Sequence, residues 1–68
     1  MKIRAFYDRE QKEHVVELPE RSTVADLLKK INLNPVAVIV SRNNTIILEQ
    51  EALHGNDDVK IYSVISGG

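Results

Sequence analysis

An α+β domain, one mixed sheet of four to five strands with a single main helix across one face, is the fold class this chain predicts. Three observations carry it. β-type runs of period two open and close the sequence, as strands require. One stretch near the middle, "STVADLLKKINL", has the period of a helix. Asparagine-, glycine- and charge-rich punctuation separates these segments and marks the turns between them. Strand order is not set by such patterns.

Taken in order, "KIRAFY" and "EHVVEL" are strands joined through the polar "DREQK", a hairpin signature. Alternation puts His14, Val16 and Leu18 on one face of the second strand, with Val15 and Glu17 on the other. The first strand has two solutions: Ile3, Ala5 and Tyr7 point inward, or Phe6 does. In the helix, Val24, Leu27, Leu28 and Ile31 recur at i, i+3, i+4 and i+7 and form one apolar stripe, which packs on a sheet. Thr23 with Asp26 three residues on is a shortened capping box at its start. The stretch Asn32 to Pro35 ends it, since proline has no amide to donate and drives its predecessor out of helical conformation.

Beyond the helix, "VAVIV" and "TIIL" are strands about a two-residue turn at Asn43-Asn44, where asparagine tolerates the positive φ that tight hairpins need. "EQEALHGNDD" is an irregular connection with Leu53 tucked beneath it. In the closing "VKIYSVI", Val59 and Ile61 face one way while Lys60 and Tyr62 face the other, away from the helix. No repeat or linker interrupts the chain, so residues 1–68 are expected to be one domain, with a flexible Gly-Gly tail over 66–68.

Composition narrows the function. At 43% hydrophobic and 28% charged residues the chain is globular and too apolar for a disordered segment. A domain of this size buries roughly 60% of its unfolded surface and holds one core. Nine basic against ten acidic residues leave no broad positive field for nucleic acid. The longest apolar run, "VAVIV" at 36 to 40, falls far short of the ~20 residues of a membrane helix. The charged start "MKIRAFYDRE" is unlike a signal peptide, so a cytoplasmic location is expected. There is no cysteine, hence no disulfide framework and no thiolate nucleophile.

Catalytic constellations are missing too. His14 and His54 have no metal-ligand spacing and fit ordinary strand and loop positions, so no metal is expected. Ser22, Ser41, Ser63 and Ser66 lack a nucleophile-elbow setting. Asp57-Asp58 reads as a solvated turn rather than an acid/base pair. No phosphate-binding glycine loop is present, so any ATP is held by another protein.

The ending "SVISGG" is the informative part. Two glycines lose more backbone freedom on ordering than any other pair, which makes them a poor choice for stability. Without side chains, Ser66-Gly67-Gly68 can thread extended into a narrow channel and bring the Gly68 carboxylate to a partner's active site. A carboxylate is a poor electrophile; as an acyl-adenylate it is open to sulfide or to an amine. Tyr62, on the face that the helix leaves open and near that tail, is a candidate partner anchor, with Val64 and Ile65 as further partner-binding residues, since aromatics are enriched among interface anchors.

With "TVADLLKKINLNP", "VIVSRNNTIILEQEAL" and "VKIYSVISGG" in view, the chain resembles the ThiS/MoaD family of ubiquitin-like sulfur carriers over nearly its whole length, closest to short archaeal members. The resemblance implies the β-grasp fold, and a protein that is a substrate rather than an enzyme. It also implies a ubiquitin-activating-type adenylating partner that uses ATP and Mg, a thiocarboxylate on Gly68, and a sulfur-accepting synthase or tRNA thiolase downstream in thiamine thiazole, molybdopterin or tRNA thiolation. No cofactor, nucleic acid or membrane is bound by the chain, and a monomer is expected. Tyr62 falls where molybdopterin-type carriers have a partner-packing aromatic. The segment "SVIS" lacks the prolines that those carriers place before the tail, and is nearer the thiazole type; the Asn-Asn turn stands where a glycine is common. Two other readings compete: a ubiquitin-like modifier joined through Gly68 to lysines, and a non-catalytic interaction domain with an idle tail.

Overall fold

The computed structural model describes residues 1–64. Five strands, β1 (Lys2–Tyr7), β2 (Lys12–Glu17), β3 (Val38–Arg42), β4 (Thr45–Ile47) and β5 (Asp58–Ser63), form one sheet around a single helix, α1 (Val24–Lys30). The sheet order is β2-β1-β5-β3-β4. β1 and β5 run parallel at the centre, and every other pairing is antiparallel. This is the β-grasp arrangement: two hairpins joined by the last strand, with the helix in the crossover between them.

The inner face is set by alternation. Ile3, Ala5 and Tyr7 are buried whereas Phe6 is only half-buried, which resolves the two solutions for β1. A row runs across the sheet through Tyr7, Ile61, Val40 and Ile47 in register. Val24, Leu27 and Leu28 of α1 close over it. Leu18 and Leu53 seal the ends of this core, and Ile31 packs at its margin.

Local chemistry fixes the ends of α1. Thr23 Oγ1 accepts from the Asp26 amide, and an Asp26 carboxylate oxygen accepts from the Thr23 amide at 2.9 Å, so the capping box is complete with the shorter acid. Two further amides of the first turn, those of Val24 and Ala25, donate to the carbonyls of Glu51 and Glu49 at 3.0 and 2.9 Å. Those bonds tie the irregular connection to the helix. Thr23→Ala removes the cap; the expected loss is about 1 kcal/mol, seen as a lower urea midpoint at unchanged slope.

The helix stops one turn before the proline. Asn32 takes a left-handed φ of 61°, its amide donates to Lys29 O, and the Leu33 amide reaches back to Leu28 O at 2.8 Å. That is a Schellman stop with asparagine in the usual glycine place. Pro35 instead opens a short 3-10 turn, Pro35–Ala37, capped by Asn34, so β3 begins at Val38.

Asn43 and Asn44 have φ of 52° and 69° between the paired Arg42 and Thr45, the type I′ geometry expected of a two-residue hairpin. The Asn43 side chain also accepts from the Asp58 amide, joining this turn to the start of β5. On the inner face Arg42 donates to Ala52 O at 2.6 Å and lies 3.9 Å from Glu51, clamping the connection whose Leu53 is buried.

Candidate functional site

One face of the sheet is left uncovered by α1. Alternation in the observed register puts on it Lys2, Arg4 and Phe6 of β1, Glu13, Val15 and Glu17 of β2, Asp58, Lys60 and Tyr62 of β5, Ile39 and Ser41 of β3, and Ile46 of β4. Tyr62 is 40% exposed while its neighbour Ile61 is fully buried, so the aromatic does point away from the helix. Its cross-strand partner is Ile39, itself 39% exposed.

Apolar surface continues from this pair in two directions. Ile46, 69% exposed, stands on the neighbouring row, in register with Ser41. Val64, 49% exposed, follows β5, and its amide donates to Ala37 O at 3.0 Å, which brings it beside the exposed Val36. An apolar strip thus leads along the open face to the point where the chain passes into its last residues. Ile65, Ser66, Gly67 and Gly68 lie outside the described residues.

Of the site predicted from sequence, Tyr62 and Val64 share this strip. Sequence reasoning missed Ile39, Ile46 and Phe6, which join it only because β3 and β1 flank β5. The signal for Ile39 was present in the alternation of "VIVSR" once Val38 and Val40 are taken as inward, but no local pattern tells that β3 neighbours β5.

The rest of the chain offers little chemistry of its own. Among the described residues no group of three His, Asp or Glu side chains is placed to hold a metal ion. His14, half-buried, lies 3.6 Å from Glu10, and the His54 amide donates to Asp57; these are local contacts of a strand and a turn. No helix of the described residues is long and apolar enough to cross a membrane.

The ThiS family model matches residues 3–68. The chain belongs to the ThiS family. Members of this ThiS/MoaD group are ubiquitin-like sulfur carriers, acted on by enzymes rather than being enzymes, and the five-stranded β-grasp sheet is the scaffold they share. A comparison with curated proteins returns no match.

Proposed function

We propose that this protein carries sulfur as a thiocarboxylate on Gly68. The carboxylate attacks the α-phosphorus of a Mg-bound ATP held by a ubiquitin-activating-type partner, and pyrophosphate leaves. Hydrosulfide then attacks the acyl carbon, the C–O bond to AMP breaks, a proton is released, and C(O)S⁻ remains. The observation that carries the reading is Gly67-Gly68 within a ThiS-family match. The exposed strip of Tyr62, Ile39 and Val64 supports it by supplying an apolar footing beside the tail.

On this reading Tyr62, Val64 and Ile65 anchor the partner, Ser66 to Gly68 form a slim flexible tail that enters its channel, and no catalytic side chain or bound cofactor is needed from this domain. It acts in the cytoplasm, as a monomer between encounters. The recipient is a sulfur-accepting synthase or tRNA thiolase.

The test uses the purified chain, the adenylating enzyme encoded in the same genome, Mg, ATP and labelled pyrophosphate. Exchange of label into ATP is expected only with the carrier present. Adding sulfide should then shift the intact mass by the difference between sulfur and oxygen, located on the last residue. Exchange without that mass shift, together with lysines elsewhere bearing the C-terminal remnant, would replace sulfur carriage with protein modification.

A further inference from the structure

Three basic residues lie on the open face, and two of them have an acidic residue beside them in register. Lys2 stands in register with Glu17, and Arg4 with Asp58, opposite-charge neighbours of the kind that stabilise a sheet. Lys60 has Phe6 on one side and Ser41 on the other. It is half-buried, and among the described residues no ion pair or hydrogen bond to its ammonium occurs. Its row continues to Ile46, and the next row holds Tyr62 and Ile39. A half-buried cation with no acidic residue beside it in register therefore sits inside the apolar strip.

That position has a physical consequence for whatever lies down on the strip. An apolar partner surface would strip water from the Lys60 ammonium without replacing it, an expensive change for a charged group. A second copy stacked face to face would bring another Lys60 toward the first. A polyanion would meet Lys2, Arg4 and Lys60 interspersed with Glu13, Glu17 and Asp58, a face with no net charge. A protein surface carrying one carboxylate in an apolar frame satisfies both the strip and the charge.

We propose that Lys60 is the specificity-determining residue of this face, and that the partner seated there presents a carboxylate to it from within an apolar surround. The assignment rests on the reading above, in which the adenylating enzyme docks on the open face. Lys60 rejects enzymes whose matching surface is purely apolar or basic, a use of unfavourable contacts to set specificity.

Pyrophosphate exchange measured against carrier concentration tests this. Lys60→Glu is expected to raise the KM for the carrier by ~30-fold or more, the scale of breaking a desolvated charge pair, with kcat little changed. Lys60→Arg should stay near wild type. Lys60→Met is the decisive variant: it leaves the partner's carboxylate unpaired and raises KM, whereas on a simply apolar partner it would lower it. Methionine suits a half-buried strand position, so this variant carries the test even where Lys60→Glu unfolds, which far-UV circular dichroism reports. Wild-type exchange together with an unchanged or lower KM for Lys60→Met overturns the assignment and leaves the proposed function standing. Absence of exchange with the wild-type chain overturns both.

Discussion

Deleting Gly67 and Gly68 is expected to abolish pyrophosphate exchange while shifting the urea midpoint by less than the equivalent of about 0.5 kcal/mol, as for changes away from the core. Among the described residues the buried hydrophobic ones run from Ile3 to Ile61, and a terminal glycine pair has no side chain to add to that core. The carbonyl proposed to react, by contrast, is removed with Gly68. A new carboxylate on Ser66 would stop two residues short of the partner's bound nucleotide and would carry a side chain into the channel. Full exchange activity in the truncated protein would end the proposed role of the tail, and a large fall in melting temperature would show that the glycines are structural.

Leu27→Ala is expected to produce the largest change in stability. Leu27 is fully buried in a helix of only seven residues, the one element that covers the inner face of the sheet. Truncating such a side chain costs about 2–5 kcal/mol through lost transfer energy and the cavity left behind. A 68-residue domain has only about 3–10 kcal/mol in all, at 0.05–0.15 per residue. Much of the variant should therefore be unfolded at ambient temperature, with a melting point lower by roughly 10–30 °C. Leu27→Met, which nearly conserves volume, should lose less than about 1.5 kcal/mol. Circular dichroism melts of the pair decide it. Near-equal melting points would mean that α1 is not the lid of this core. Exchange activity in Leu27→Ala should fall with the folded fraction and return on addition of stabilising osmolyte, unlike that of the tail deletion.

Much of the architecture was readable because its causes are local. The stripe of Val24, Leu27, Leu28 and Ile31, the Thr23 and Asp26 cap, the paired asparagines of the β3–β4 turn and the alternation of Val59 to Tyr62 each depend on residues within one turn or one strand. What escaped is non-local or degenerate. Phe6 and its neighbours Ala5 and Tyr7 are all apolar, so only the packed sheet distinguishes inside from outside on β1. The helix stop was assigned to a stretch ending in proline because proline is the stronger punctuation, yet Asn32 accepted the left-handed conformation first. The open face was half visible: Tyr62 and Val64 are close along the chain, but Ile39, Ile46 and Lys60 are brought beside them only by cross-strand register. The resemblance supplied the topology that periodicity alone did not.

The parallel pairing of β1 with β5 has a consequence for how the molecule assembles. Synthesis delivers the keystone late: β1 with β2 and β3 with β4 can each close as a ribbon, but both keep an open border until the segment 58–63 slides between them. Joining partners so distant along the chain is slow compared with local pairing, and neither ribbon alone encloses a core. A nascent chain cut short before Asp58 would thus be two loose halves with no continuous sheet between them.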